Sequence, residues 1–246
     1  MNNDRKKLEE LFLSIKNMGF IKSKRRGDTG IGYTFEELIK KPEENFPIPD
    51  FNSIEIKTFR TKSNKAIHLF SSTPDGDFLF PIKRVVDILG YPDKTMKEAK
   101  VFNVDFRGNK TRWIGYYKKG MIKVNRKYNK IDLIAYDNKG NNLNVDTSWS
   151  FDMLKNKLYL KLTNLAVISA DSKYIKGEEY FNYNSLKFYK LKNFDTFLDL
   201  IEKGIISICF NVGVYRSGRR IGQPHDRGVN FSIYQSDLLL LFDEVS

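Results

Sequence analysis

Four runs of β-forming residues, VFNVDF, RWIGYY, MIKVNR and IDLIAYD, follow one another between residues 100 and 147. Arg107-Gly108-Asn109, Lys119-Gly120 and Asn138-Lys139-Gly140 punctuate them with turn chemistry,. A chain with this middle cannot be all-helical, and its flanks cannot be all-β. Leu8, Leu11, Phe12, Ile15 and Met18 recur at helical spacing up to Gly19,. Residues 194–203, FDTFLDLIEK, form a second amphipathic pattern, stopped by Gly204,. Thr34 with Glu37 fits a capping box for a helix running to Ile39 or Lys40 and ending before Pro42,. Residues 54–59 and 68–71 read as strands, 84–89 as a short helix before Gly90, and 151–157 as a helix. Residues 158–168 read as apolar and extended, 205–210 and 229–234 as strands paired across a basic loop, and 237–242 as a final helix capped by Ser236. The fold class is mixed α/β with a β-rich module inserted.

The charge balance narrows the partner. Lys and Arg number 42 against 30 Asp and Glu, a net charge of +12 in 246 residues. Such an excess suits a polyanion, nucleic acid first. The composition also excludes several chemistries. Two histidines, His68 and His225, and one cysteine, Cys209, cannot build histidine- and cysteine-rich zinc centres,. A disulfide framework is excluded as well. No Gly-rich loop ends in Gly-Lys-Ser/Thr, so ATP-driven work is not expected. No apolar run is long enough to span a membrane, and MNNDRKKLEELF lacks a signal peptide's apolar stretch,. The expected setting is the cytoplasm, without membrane contact. Any hydrolytic chemistry must rest on carboxylates and a hard cation.

Asp50 and Glu55-Ile56-Lys57 supply such a set. Residues two apart on a strand share a face, so Glu55 and Lys57 project together while Ile54, Ile56 and Thr58 face the other way. Asp50 lies out of phase on a straight strand, but Phe51-Asn52-Ser53 is turn-capable and a bend brings it alongside Glu55. Two carboxylates offer oxygen ligands for Mg²⁺, and an ammonium orients water and phosphate. The residues alone leave a second reading open, in which Glu55 and Lys57 decorate a solvated strand face.

The segments Gly30-Ile31-Gly32-Tyr33-Thr34-Phe35-Glu36-Glu37-Leu38, Phe46-Pro47-Ile48-Pro49-Asp50-Phe51 and Ile54-Glu55-Ile56-Lys57-Thr58 resemble the MvaI/BcnI-like type II restriction endonucleases. More distantly, the block is similar to the MutH-type mismatch-repair nicking enzymes. The resemblance implies a PD-(D/E)XK catalytic core and a Mg²⁺-dependent site-specific deoxyribonuclease that cuts double-stranded DNA. It implies Asp50 and Glu55 as metal ligands, Lys57 as the catalytic lysine and Glu36 as a fourth catalytic member. The sequence by itself favours Glu37 over Glu36, because Glu37 fits the capping box. The resemblance further implies a monomer that nicks one strand and then the other, at a CC-N-GG site with A/T favoured at the centre. It needs no protein partner to cleave, and a cognate DNA methyltransferase shares its cell.

Residues 212–228, VGVYRSGRRIGQPHDRG, carry Tyr215, Arg216, Arg219, Arg220, His225, Asp226 and Arg227, and two readings stand side by side: a loop that reads bases, or a flexible basic loop that contacts only phosphates. Arginine forks match guanine O6 and N7, and they also hold phosphates. Lys118 and Lys119, among the basic residues of the β-module, and Arg25 and Arg26, before the active-site helix, are expected to grip the backbone. The lobes divide as 1–80 with 151–204 for catalysis, and 81–150 with 205–246 for recognition, forming a cleft around DNA. Two rivals remain: a MutH-like nickase dependent on partners, which the β-module argues against, and a non-catalytic DNA-binding protein.

Overall fold

The computed structural model describes residues 2–39, 50–61, 63, 65–76 and 80–245. Lys40, Pro42 and the 46–49 part of the motif block lie outside the described residues. In chain order the helices are α1 (Asn2–Asn17), α2 (Gly30–Leu38), α3 (Phe80–Leu89), α4 (Phe151–Leu162), α5 (Phe194–Glu202) and α6 (Leu238–Leu241). The strands begin with β1 (Ile21–Lys22), β2 (Glu55–Arg60), β3 (Ala66–Ser71), β4 (Tyr91–Pro92) and β5 (Lys100–Arg107). They continue with β6 (Arg112–Ile114), β7 (Lys118–Asn125), β8 (Lys130–Asp137) and β9 (Thr147–Ser150). The last are β10 (Asn164–Ile175), β11 (Glu178–Leu191), β12 (Ser207–Val214), β13 (Pro224–Tyr234) and β14 (Phe242–Val245).

The chain forms two compact units, Met1–Lys65 with Lys157–Lys192 and Leu239–Ser246, and Ala66–Asn156 with Asn193–Leu238. These boundaries differ from those read in the sequence. The first cut falls at 65 rather than 80, α5 belongs to the second unit, and the last residues return to the first. The tail returns because the final helix, expected over 237–242, stops at Leu241, and Phe242–Val245 form strand β14 along the edge of β11.

The first unit is built on a sheet ordered β1-β11-β10-β2, with β14 also on β11. Leu8, Phe12 and Ile15 of α1 and Ile31 and Phe35 of α2 pack on one sheet face, against Ile54, Ile56, Ala166, Ile168 and Tyr183. Each fully buried side chain of this kind contributes ~1.5–3 kcal/mol. The β10–β11 hairpin closes through Lys176 and Gly177, both at positive φ (51° and 79°), as a two-residue hairpin turn requires,. The expected extended stretch 158–168 divides instead. Leu154, Leu158 and Leu162 are all fully buried at four-residue spacing, so α4 runs on to Leu162 before β10 begins,.

The second unit holds a sheet ordered β3-β13-β12-β5-β4 and a four-stranded sheet ordered β6-β7-β8-β9. The four β-forming runs are therefore divided. VFNVDF joins the C-terminal hairpin as β5, and the others make their own sheet. Trp149, Phe210 and Phe231 stack edge-on at its core, and the Trp149 indole donates to the Ser72 carbonyl at 2.9 Å. Part of the expected basic loop is also strand. Residues 212–214 lie in β12 and 224–228 in β13, leaving 215–223 as the loop proper.

Candidate active site

β2 is the edge strand of the first unit's sheet and runs parallel to β10, with Glu55 opposite Leu165 and Lys57 opposite Val167. Its alternation is the expected one. Ile54 and Ile56 enter the core under α1 and α2, and Glu55 and Lys57 share the opposite face,. Before the strand, Phe51 and Ile54 exchange two backbone hydrogen bonds of 2.8 Å around Asn52-Ser53, with Asn52 at φ 50°. Asp4 of α1 pins this turn, accepting from Asn52 Nδ2 and Ser53 Oγ at 2.9 Å each. Those two bonds hold the Asp4 carboxyl below its ordinary pKa. The turn folds the chain back so that Asp50 Oδ2 accepts from the Ile56 N–H at 3.0 Å.

Glu55 is 1% exposed. Its Oε1 receives Lys57 Nζ at 2.6 Å and Lys161 Nζ of α4 at 3.4 Å. Among the described residues, its Oε2 is buried with no hydrogen-bond partner. A buried acceptor left in this state costs ~1–3 kcal/mol, more when charged. Lys157, one turn before Lys161, has its pKa pushed down by burial and by the neighbouring Lys161 charge.

Glu36 sits on α2, half-buried. Its Oε1 bends back to 3.9 Å from where a β-carbon on Gly32 would stand, and that β-carbon would also crowd Thr58 Oγ1 at 3.2 Å. Gly32 thus lets the helix approach β2. The expected capping box is absent: α2 starts four residues before Thr34, at Gly30. Thr34 is buried inside the helix, its hydroxyl accepting from the Lys24 N–H at 2.9 Å, and Glu37 is exposed. Among the described residues no three His, Cys, Asp or Glu side chains converge as a metal cluster. Glu36 is therefore not gathered with Asp50 and Glu55 into one such group.

The loop before α2 is anchored from below. Arg60 makes a bidentate pair with Glu179, 2.7 Å on each arm, and donates to the carbonyls of Gly27 and Asp28. The Glu179 bond raises the Arg60 pKa further. Arg26 is exposed, and the exposed Arg25 lies over the Tyr33 ring at 3.8 Å.

In the second unit, the residues expected to read DNA separate into roles. His225, Asp226 and Arg227 stand on β13, with His225 opposite Gly213. A β-carbon on Gly213 would stand 3.7 Å from the Arg227 guanidinium. The imidazole of His225 stacks on Tyr215 at 4.2 Å and 14°, and Arg220 covers the Tyr215 ring at 4.0 Å. Arg219 is exposed in the loop. Asp226 accepts from the Gly228 N–H at 2.8 Å. Arg216 is committed elsewhere: its guanidinium grips Asp93 at 2.7 and 2.8 Å and holds the Asp93 carboxyl well below the usual carboxylate range. Lys118 is also committed. Its ammonium caps the Ile88 carbonyl at the end of α3, and burial lowers its pKa. Lys119 lies over Trp113 at 4.3 Å.

The sequence model of the MvaI/BcnI restriction endonuclease family matches residues 9–242. The chain belongs to that family. Membership makes it a type II site-specific deoxyribonuclease. Among solved structures it is similar to restriction endonuclease MvaI in complex with a cognate DNA substrate, at 30% identity and a TM-score of 0.90. It is also similar to MvaI in the absence of DNA, at 30% identity and a TM-score of 0.63. Both comparisons cover 100% of this chain and 98% of the other. A comparison with curated proteins found no match.

Two residues of this family member were missed in the sequence. Lys161 lies 106 positions from Glu55 and meets it only because β10 runs parallel to β2. Asp93 carried no visible signal, because its partner Arg216 is 123 positions away.

Proposed function

We propose that this enzyme cuts duplex DNA in a Mg²⁺-dependent reaction on a PD-(D/E)XK core, with Asp50, Glu55 and Lys57 at the cutting centre and Glu36 beside it. The observation that carries the reading is Glu55: a nearly inaccessible carboxylate with one oxygen held by ammonium and the other without a partner among the described residues. Such a group fits a hard cation, and Asp50, bent back onto the same strand, adds a second oxygen donor,. The remaining ligand positions suit water and phosphate oxygens. When bound, Mg²⁺ acidifies a water and offsets charge on the phosphoryl transition state. Lys57 holds its ammonium at the edge of the site, where it orients the attacking water and the scissile phosphate. The Ile56 N–H keeps the Asp50 carboxylate in place.

The site read is of the CC-N-GG type with A/T at its centre, as the family resemblance supports. Arg219, Arg220 and Arg227 suit the guanines, and His225, held flat by Tyr215, suits the central pair. The enzyme acts as a monomer in two sequential nicks, in the cytoplasm of a cell carrying a matching methyltransferase. Plasmid incubated with Mg²⁺ should be cut and with EDTA left intact, and Glu55→Ala should be inert. Sequenced ends give the site. Cutting that persists in EDTA, or in Glu55→Ala, overturns the reading.

A further inference from the structure

Glu55 is surrounded by more positive charge than its neutralisation requires. One ammonium, Lys57 at 2.6 Å, balances the carboxylate. A second, Lys161, approaches the same oxygen at 3.4 Å. Lys157 lies one helical turn away on α4, and residues at that spacing share a helix face,. Both lysines near Glu55 keep some access to solvent, 20% for Lys57 and 22% for Lys161. The longer contact is the weaker of the two. Lysine is a compact charge on a flexible stem, able to swing to a new acceptor without moving its helix.

We infer that Lys161 is a placeholder cation at Glu55, displaced by the metal and passed to the phosphate of the DNA. The inference rests on the cutting centre proposed above. Without a metal, Lys57 balances a carboxylate that burial would otherwise penalise, and Lys161 adds a second positive charge beside it,. A divalent ion on Glu55 repels a neighbouring ammonium, and the weakly held Lys161 is the one to leave. An incoming phosphodiester supplies a new acceptor for it. Lys161 thereby lowers metal affinity in the absence of DNA and supports catalysis in its presence. The two roles pull measurable quantities in opposite directions, which a merely structural lysine would not do.

Mn²⁺ titration of the DNA-free protein, read by electron paramagnetic resonance, tests the first role. Lys161→Met should bind Mn²⁺ at least about threefold more tightly than the parent, the scale of a part-exposed ion pair. Single-turnover cleavage at saturating Mg²⁺ tests the second, and should fall at least about tenfold in the same variant. Lys161→Arg, which keeps the charge, should retain the parent's Mn²⁺ affinity. Lys161→Gln repeats the neutral case should the methionine variant fold poorly. Unchanged or weaker Mn²⁺ binding in both neutral variants overturns the inference, as does unchanged saturating cleavage. If the parent neither binds Mn²⁺ nor cleaves, the cutting centre itself falls and this inference with it. If the parent does both and the neutral variants match it, only the role of Lys161 falls.

Discussion

Among the described residues, Glu55 Oε2 is one of two buried side-chain polar atoms without a hydrogen-bond partner, Asp105 Oδ1 being the other, and it is the one that lies beside the Glu55–Lys57 pair. Proteins keep such groups where chemistry uses them. Asp50→Ala and Glu55→Ala should therefore each lower single-turnover cleavage by about a thousandfold or more. Binding of a cognate duplex in Ca²⁺ should persist, because neither carboxylate contacts a base in the proposed arrangement. Near-parental cutting by either variant removes that residue from the centre. Much of this site was legible in the sequence because strand alternation is a local rule. Glu55 and Lys57 are two apart, and Ile54 and Ile56 between and beside them mark the buried face. Lys161 was not legible. Its meeting with Glu55 depends on a parallel strand pairing, and parallel pairs leave no turn signature in the sequence.

The turn at Asn52-Ser53 is the element on which Asp50 depends. Asn52 adopts φ 50°, which a β-branched residue tolerates poorly, and Asp4 ties the turn to α1,. Asn52→Val should destabilise the protein by ~1–3 kcal/mol in denaturant unfolding and reduce cleavage beyond that loss. Parental cleavage in a folded Asn52→Val protein would show that Asp50 needs no such turn. A second element carries the proposed base reading. His225 lies against Tyr215, which Arg220 covers in turn. A neutral imidazole offers one donor and one acceptor, so its orientation decides which base edge it accepts. His225→Ala should relax preference at the central pair while flanking guanines stay enforced, and Tyr215→Ala should do the same more mildly. Cleavage of duplexes differing only at the central pair measures both. Full central preference in His225→Ala would place the reader elsewhere. The hairpin bearing these residues was readable as two strands, but not its length. Glycine, proline and charge in 212–228 read as loop, whereas backbone pairing carries both strands further, with Val214 opposite Pro224.

At the scale of the whole molecule, the +12 charge predicts steep salt dependence of DNA binding, but not every lysine contributes,. The sequence grouped Lys118 with Lys119. The structure separates them, because Lys118 is spent on the C-terminal end of α3, where a cation suits the helix dipole,. Lys119→Ala should flatten the slope of log affinity against log salt by about 0.9, one phosphate contact. Lys118→Ala should leave that slope alone and lower stability instead, by ~1 kcal/mol. A slope left at the parent's value in Lys119→Ala would show that Lys119 also faces no phosphate.

Each chain carries one Glu55–Lys57 pair, and in the proposed arrangement a single pair has one place for a scissile phosphate. Two strands of opposite polarity cannot occupy it at once. A dimer would escape this by presenting two centres related by symmetry, and would then convert supercoiled plasmid straight to linear product. A monomer must release or reorient the duplex between cuts. We therefore expect nicked circles to accumulate before linear DNA, with the two steps separable in rate under single-turnover conditions. A cognate duplex nicked in advance should skip the first phase. Sedimentation should give one protein per duplex. If linear product forms with no nicked intermediate and two chains sediment on each duplex, the enzyme assembles its second centre from a partner, and sequential nicking is wrong.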